Sequence, residues 1–238
     1  MGNTAAVNRL VYGWYPRDDI LNSNCIVLFG HDPRRHSWTM EYKSIRMRQA
    51  KGAKLIVLDP RKSENAEAAD IWLPLRAGTD AIMTFGWLKV IVEEELYDKD
   101  FVRDWTVGFD EFVHRLNEYP LDRVAKVTGV DEELIRKAAR MYATTGPATI
   151  PWSPITDQQV SSTSAIRLHC ILRAITGNID VKGGDRFIGF NPSVRSSSEI
   201  EMHQILSEKQ KSKQLGSQEF PVFTYRGMEA LGDATEKV

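Results

Sequence analysis

Cysteine is scarce in this chain, and the two cysteines present lie far apart. Cys25 and Cys170 form no CxxC pair, whereas iron–sulfur clusters and cysteine-ligated zinc sites need several closely spaced thiolates. The spacing therefore supports neither a disulfide framework nor a cysteine-ligated metal centre in this chain. We expect both thiols to be small buried hydrophobic groups in a reducing compartment.

Long apolar runs and an excess of charge of either sign are also lacking. The longest apolar stretch, AIMTFGWLKVIV, is interrupted by Lys89, and a helix that spans a bilayer needs roughly 20 apolar residues. Lys and Arg number 31 against 32 Asp and Glu, so we expect no nucleic-acid or membrane partner. The composition predicts a folded, soluble, cytoplasmic protein.

What the chain does carry is a succession of short apolar runs separated by helical patterns. CIVLF at 25–29, KLIVLD at 54–59 and IWLPL at 71–75 are apolar without alternation, as expected for parallel strands covered on both faces. The order of strands and helices predicts an α/β fold, a Rossmann-like parallel sheet with helices on both faces. In the helix expected over 79–96, five residues are predicted to line one face: Ile82, Phe85, Leu88, Ile91 and Val92.

The character of the chain changes near Gly189. Helical patterns fill 97–145, a buried strand broken by prolines follows in TGPATIPWSP, and a further helix covers 161–178. Beyond Gly189 the sequence is polar, with one amphipathic helix and few core candidates. We therefore assign residues 1–189 to one Rossmann-like domain and residues 190–238 to a partial segment that returns to an adjacent domain.

Ligands of an open parallel sheet bind outside the carboxyl ends of its strands, which directs attention to three loops. The first, GHDPRRHSW, lacks the G-x-G-x-x-G pattern of dinucleotide-binding proteins, but Gly30 permits close approach and the following helix offers free N–H groups to a phosphate. His31 and Asp32 either bind a ligand or cap that helix. Arg34 and Arg35 either neutralise a phosphate or form solvated charge pairs.

The other two loops each carry an acid. Asp59 ends the second strand, where an acid commonly binds a ribose hydroxyl pair, and Arg61 can reach a phosphate. Asp80 follows Gly78 and Thr79, and its carboxylate can accept two adjacent N–H donors, the arrangement on the N1 and N2 edge of guanine. Helix capping is the alternative role for Asp59 and for Thr79 with Asp80.

Taken in order, the three loops resemble the motifs of the molybdopterin oxidoreductases of the dimethyl sulfoxide reductase family. There, a G-x-N-P loop, a D-P-R strand end and a G-T-D loop lie in one Rossmann-like domain that holds a molybdopterin guanine dinucleotide. Here they read GHDP, DPR and GTD, and AEAADIWLPLRAGTDA and LRAITGNIDVKGGD also match. The resemblance implies ten cofactor-binding residues: Gly30, His31, Asp32, Pro33, Asp59, Pro60, Arg61, Gly78, Thr79 and Asp80.

Within that set, the resemblance implies that Asp59 binds the nucleotide sugar and that Asp80 binds the guanine base. Asp32 departs from the pattern, because the family has Asn at this position.

Several parts of the family pattern are not visible in the sequence. These are the N-terminal iron–sulfur motif, the metal ligand and the C-terminal domain that grips a second dinucleotide. The resemblance therefore implies an internal fragment of an enzyme with two molybdopterin guanine dinucleotides, tungsten or molybdenum, and a [4Fe-4S] cluster in a missing N-terminal domain. We expect no catalytic residue and no metal ligand in this chain, and we expect as partners a small-molecule substrate and the remaining domains of the same enzyme.

Two tryptophans favour the tungsten-dependent branch of the family that hydrates acetylene. Trp38 and Trp152 resemble the bulky apolar side chains that enclose the substrate there, and acetylene can be held only by shape and apolar contact. A place in the core is the alternative for each tryptophan. Two other functions stay open: a redox member of the family acting on formate, an oxyanion or a sulfur compound, and a plain nucleotide-binding module, which the absent G-x-G-x-x-G disfavours.

Overall fold

The computed structural model describes residues 2–35, 39–188 and 206–213. The α-helices are α1 (Gly2–Tyr12), α2 (Thr39–Ala50), α3 (Glu64–Glu67), α4 (Asp80–Glu93), α5 (Lys99–Trp105), α6 (Phe109–Asn117), α7 (Leu121–Thr128), α8 (Glu132–Thr144), α9 (Pro154–Asp157), α10 (Ser162–Ile175) and α11 (Glu208–Lys211). The strands are β1 (Arg17–Asp18), β2 (Cys25–Phe29), β3 (Lys54–Leu58), β4 (Ile71–Leu73), β5 (Ala148–Thr149) and β6 (Asp185–Arg186). A single 3₁₀ turn, Ile20–Asn22, precedes β2.

A four-stranded parallel sheet forms the centre of the fold, in the order β4-β3-β2-β5. Phe29 lies opposite Leu58, and Leu58 lies opposite Leu73. The three strands therefore end at the same level, and the loops that follow them leave from one edge of the sheet. The predicted Rossmann-like α/β fold is confirmed.

Helices cover both faces of this sheet, which explains why its strands are apolar without alternation. On one face, Val27, Phe29, Ile56 and Leu58 pack in a cluster with side chains of α4, α8 and α10. On the other face, Ile26, Leu28, Leu55 and Val57 pack with Ile45 of α2 and Ala66 of α3. Full burial of one such side chain contributes roughly 1.5–3 kcal/mol, so neither face tolerates a register shift.

Helix α4 is buried on more than one side, so the single apolar face predicted for it was too narrow. Met83, Trp87 and Val90 are fully buried as well. The reason is position, because α6, α7, α8 and α10 all pack against α4. At Gly86 a Cβ atom would come within 2.8 Å of a Val124 methyl group on α7, so glycine is required for this close approach.

Some elements are not evident from the sequence pattern. Helix α1 packs on α10, and its Thr4 donates from the backbone N–H (2.6 Å) and the hydroxyl (2.7 Å) to Oδ1 of buried Asp157. Strands β1 and β6 form an antiparallel pair of two residues each. Such short pairs depend on contacts distant in sequence, which periodicity does not record.

A buried ion pair ties α10 to the end of the sheet. Nε of Arg173 lies 2.7 Å from Oδ2 of Asp185, and its Nη2 donates to the carbonyl oxygen of Ile150 at 2.9 Å. The hydroxyl of Thr149 donates to Asp185 Oδ1 at 3.0 Å. Burial raises the pKa of Asp185, and the charge of Arg173 acts in the opposite direction.

Both cysteines are buried and unpaired, as the sequence predicts. Burial raises the pKa of the Cys25 thiol to about 12 and that of Cys170 to about 11, so both stay protonated at neutral pH. Within the described ranges, no helix has the length and apolar character that crossing a membrane requires. The predicted segment 190–238 lies outside the described residues except for 206–213, which contain α11.

Candidate functional site

The edge at the carboxyl ends of β2, β3 and β4 is where the three predicted loops begin. The N–H of Gly30 donates to the carbonyl of Leu58 at 2.7 Å, and the N–H of Asp59 donates to that of Leu73 at 3.2 Å. The hydrogen bonding of the sheet thus continues one residue beyond β2 and β3. This fixes the starting points of the first two loops side by side.

Gly30 is held by the loop that follows β5. Its φ of +53° lies in the left-handed region that favours glycine, and a Cβ atom there would stand 3.0 Å from Cγ2 of Ile155. The hydroxyl of Ser153 donates to the carbonyl oxygen of Gly30 at 3.4 Å. In the described part of the chain the atoms that approach Gly30 closely are those of Ile155, and the approach of a ligand to Gly30 stays a prediction.

His31 and Asp32, both buried, make specific polar contacts within the described residues. His31 Nε2 lies 2.7 Å from Oε1 of Glu41 in the first turn of α2. Asp32 accepts from Asn65 Nδ2 at 3.0 Å on one oxygen and from Arg61 Nη2 at 3.0 Å on the other. Pro33 is buried next to them.

Arg34 and Arg35 are exposed and form ion pairs with acidic side chains, as in the alternative that gives them solvated charge pairs. Arg34 pairs with Glu64, and Nε of Arg35 lies 3.7 Å from Oδ2 of Asp32. The Arg34 guanidinium also lies over the ring of Tyr42, 5.8 Å from its centroid.

The Asp59 carboxylate stabilises the turn of the second loop. Its Oδ1 accepts from the N–H of Arg61 at 2.8 Å, and its backbone carbonyl accepts from the indole of Trp72 at 2.8 Å. Asp59 itself is buried, while Pro60 and the Arg61 side chain are exposed. The arrangement holds the carboxylate at the sheet edge and directs Arg61 across to the first loop.

The third loop brings Asp80 to the first position of α4. Gly78 has a φ of +82°, and a Cβ atom built on it would meet no atom of the described residues within 4 Å. Thr79 occupies the N-cap position, but its hydroxyl donates back to Arg76 at 2.6 Å and makes no capping bond. Capping by Thr79 is therefore not its role.

Asp80 is buried, with 4% of its surface exposed. Burial raises the pKa of its carboxyl, while hydrogen bonds from its own backbone N–H and from the side chain of Gln159 lower it. A buried acid of this kind costs free energy unless donors compensate its charge. These features fit a carboxylate that accepts hydrogen bonds from further N–H donors.

The structure brings the first two loops into direct contact through Arg61 and Asp32. Trp152, half-buried, lies in the loop after β5. Trp38, the other tryptophan predicted for the substrate pocket, lies outside the described residues. No group of three or more His, Cys, Asp or Glu side chains that could hold a metal ion occurs in the described part of the chain.

Two supporting side chains were missed by sequence reasoning. Glu41 contacts His31, and Asn65 contacts Asp32. Each stands on a different element from its partner, so no spacing rule joins the two. Only the position of Glu41 in the first turn of the helix after the first loop gave a signal.

Comparison with known proteins adds an independent line of evidence. A family model described as molybdopterin oxidoreductase matches residues 2–228. The chain is 47% identical over 238 residues to the acetylene hydratase of Syntrophotalea acetylenica, covering 100% of this chain and 32% of that protein. The solved structure of acetylene hydratase from Pelobacter acetylenicus matches with a TM-score of 0.86 at 47% identity, over 100% of this chain and 32% of that one.

Relatives of lower identity are named as redox enzymes. Formate dehydrogenase H of Escherichia coli is 33% identical over 201 residues, which are 84% of this chain and 26% of that protein. Dimethyl sulfoxide reductase DmsA of the same organism is 34% identical over 193 residues, 70% of this chain and 23% of that protein. The chain therefore spans a third or less of the length of these relatives.

Proposed function

This chain belongs to the molybdopterin oxidoreductase family, and on that premise we propose that it is the dinucleotide-binding part of a longer enzyme that hydrates acetylene to acetaldehyde. The observation that carries the proposal is the 47% identity to an acetylene hydratase along the entire chain. The family implies a molybdopterin cofactor with molybdenum or tungsten. We further propose that the cofactor is the guanine dinucleotide, two per complete enzyme, with a [4Fe-4S] cluster held by another domain.

The described residues fit a guanine dinucleotide at the edge of the sheet. The buried carboxylate of Asp80 offers acceptors for N1–H and N2–H of guanine, and no atom of the described residues lies within 4 Å of a Cβ atom built on Gly78. Asp59, fixed by its turn to Arg61, would accept from the ribose hydroxyls. The N–H groups of the first loop and the guanidinium of Arg61 would lie towards the phosphates.

All ten residues proposed for cofactor binding belong to these three loops. They are Gly30, His31, Asp32, Pro33, Asp59, Pro60, Arg61, Gly78, Thr79 and Asp80.

The residues proposed for the substrate are apolar. Trp152 lies after β5, the neighbour of β2, and the loop of Trp152 packs against Gly30 through Ile155. With Trp38 it would exclude water from a small hydrocarbon and hold it by shape. The bound metal supplies Lewis-acid activation of a water molecule, and the ligands and proton-transfer groups for that chemistry are proposed to lie in other parts of the enzyme.

Two further assignments rest on the sequence. We propose residues 1–189 as the nucleotide-binding domain and residues 190–238 as a segment that returns to an adjacent domain. We also keep the cytoplasmic location as a prediction from composition and cysteine content.

Activity of the full-length enzyme tests the reaction. Purified anaerobically and supplied with acetylene, it is expected to form acetaldehyde without any added electron acceptor. The redox alternative, favoured by the identity to formate dehydrogenase H and DmsA, predicts no acetaldehyde and turnover of formate or a sulfur compound that requires an electron donor or acceptor. Strict dependence on such a redox partner would overturn the hydratase proposal.

A matched pair of aspartates tests the cofactor site. Asp80→Ala is expected to lower the amount of GMP released per protein on acid hydrolysis, because it removes both acceptors for guanine. Asp122→Ala is the control, because Asp122 stands equally in the first turn of a helix, α7, but is exposed. Equal GMP content in the two variants would contradict the assignment of Asp80.

A further inference from the structure

Asn65 links helix α2 to the first loop of the site. It is the second residue of α3, and its side chain is fully buried. Its Nδ2 donates to Oδ1 of Asp32 at 3.0 Å, and its Oδ1 accepts from Nη2 of Arg46 on α2 at 3.1 Å. Because a carboxylate only accepts and a guanidinium only donates, a single orientation of the Asn65 amide satisfies both contacts.

Arg46, the anchor of Asn65, is itself held by several groups. Its Nη2 also donates to the carbonyl oxygen of Glu64 at 3.1 Å, and its Nη1 donates to Oε1 of Gln49 at 2.7 Å. Its guanidinium lies over the ring of Tyr42, 5.0 Å from the centroid. The position of Asn65 is therefore fixed by α2 and by the first residue of α3.

The contacts continue from Asn65 through Asp32 to Arg61. While Asn65 holds Oδ1 of Asp32, Oδ2 of the same carboxylate accepts from Nη2 of Arg61 at 3.0 Å. The backbone N–H of Arg61 donates to Oδ1 of Asp59 at 2.8 Å. The Arg61 side chain is 57% exposed, and an exposed arginine that no partner holds samples many rotamers. Here buried partners hold its guanidinium in one place.

We propose that Asn65 is a positioning residue for Arg61, and that through Asp32 it holds the guanidinium in place to bind a phosphate of the cofactor at the edge of the sheet. This inference rests on the proposed function, because it concerns the same cofactor site. Arginine has five N–H donors in a fixed fork. Within the described residues one of them donates to Asp32, and a phosphate can accept from two others side by side.

The charges of this cluster favour an anion. The Asp32 carboxylate by itself would repel a phosphate from the first loop. Two cations face that acid, however, because Nε of Arg35 lies 3.7 Å from the oxygen that accepts from Arg61. The acid is buried and both arginines are exposed, so the excess positive charge faces the solvent side. An arginine that is already ordered also loses less entropy when it binds a ligand.

Release of the cofactor from the full-length enzyme provides the test. The enzyme is incubated for a series of times, the free cofactor is removed by gel filtration, and the GMP that stays with the protein is measured after acid hydrolysis. Asn65→Ala removes the donor that holds Asp32, so Arg61 loses its fixed position. We expect release from this variant to be roughly tenfold faster than from the wild type.

A double-mutant cycle separates positioning from a structural role. Arg61→Ala alone is expected to speed release by a similar factor. Adding Asn65→Ala to Arg61→Ala should then change the release rate by less than roughly twofold, because the group that Asn65 positions is absent. A purely structural role for Asn65 would speed release by the same factor in both backgrounds, and that result would overturn the inference.

Asn178→Ala is the matched control. Asn178 is 2% exposed, its Oδ1 accepts from the N–H of Ala148 at 2.7 Å, and its Nδ2 donates to the hydroxyl of Thr176 at 2.8 Å. Ala148 is the first residue of β5, so Asn178 lies at the edge of the sheet opposite the three loops. This variant is expected to lower the thermal midpoint and to keep the wild-type release rate. Equal release from Asn65→Ala and Asn178→Ala would contradict the proposal.

A second variant keeps the test decisive if Asn65→Ala does not fold. Asn65→Asp has nearly the same shape and still accepts from Arg46, but it places an oxygen against Oδ1 of Asp32. Repulsion between the two acids should displace Asp32 and speed release, and an unchanged rate would overturn the inference. If the wild-type enzyme carries no GMP, the proposed cofactor is wrong and this inference with it, so the two failures are distinguishable.

Discussion

Arg61 and Asp32 connect the second loop of the site to the first. Nη2 of Arg61 lies 3.0 Å from Oδ2 of Asp32, although Asp32 is buried and the Arg61 side chain is 57% exposed. The guanidinium of Arg61 compensates the charge of the buried Asp32 carboxylate. Asn65 completes the arrangement on the other carboxylate oxygen, at 3.0 Å.

Substitution of Asp32 and of Arg61 by alanine is expected to lower the free energy of unfolding by different amounts. Asp32→Ala leaves buried Nδ2 of Asn65 without its acceptor and should lower the free energy of unfolding by about 1–3 kcal/mol. Arg61→Ala should cost less than about 1 kcal/mol, because the pair is partly solvated and Arg35 stands 3.7 Å from the same oxygen. Thermal unfolding of the full-length protein measures both, and equal losses would contradict the argument.

The buried pair of Arg173 and Asp185 should behave differently. Asp185→Asn leaves an uncompensated guanidinium in the interior, and we expect a loss of about 3–5 kcal/mol. The double variant Arg173→Met with Asp185→Leu removes both charges and should be more stable than Asp185→Asn alone. Denaturant unfolding of the three proteins provides the comparison. A double variant less stable than the single one would show that the hydrogen bonds to Thr149 and Ile150 dominate.

His169 predicts a pH dependence of stability. Its ring packs on Phe29 with centroids 4.2 Å apart, and burial lowers its pKa from 6.5 to about 3. Between these two pH values the unfolded chain therefore binds more protons than the folded chain. The contribution of His169 to the free energy of unfolding is constant above about pH 6.5 and falls progressively as the pH decreases towards 3. At pH 5 the loss should be about 2 kcal/mol.

Substitution of two histidines checks this prediction. His169→Leu should reduce the difference in thermal midpoint between pH 7.5 and pH 5, since it removes the titrating group. His114→Leu, at an exposed position of α6, should leave that difference as in the wild type. A wild-type slope retained in His169→Leu would assign the acid sensitivity to other groups.

The fold was predictable because its strands are unusual in composition. CIVLF and KLIVL are apolar at every position, and the structure buries them between helices on both faces. The burial of helix α4 was harder to predict, because the sequence pattern shows one apolar face, whereas four other helices pack around α4. Helix α1 and the β1–β6 pair were missed, because their stability comes from partners more than 150 residues away, such as Asp157 for Thr4.

The sequence predicted that the three loops begin at one edge of the sheet, and it was less informative about the contacts between them. Asp59 and Asp80 follow strands, and the carboxyl ends of parallel strands form the binding edge. The sequence could not show that Arg61 is held by Asp32 or that the hydroxyl of Ser153 donates to the carbonyl oxygen of Gly30. Such pairings depend on strand order and helix packing, which become known only when β5 is placed beside β2.

The contact between Gly30 and Ile155 has a consequence for how enzymes of this kind diversify. A Cβ atom at position 30 would stand 3.0 Å from Cγ2 of Ile155, in the segment after β5, so the exposed Ile155 side chain would have to move by a few tenths of an ångström. A substitution in the first loop is therefore expected to require an adjustment of that segment. Transplanting the segment after β5 into a relative should succeed only when the residues that follow β2 are transferred with it.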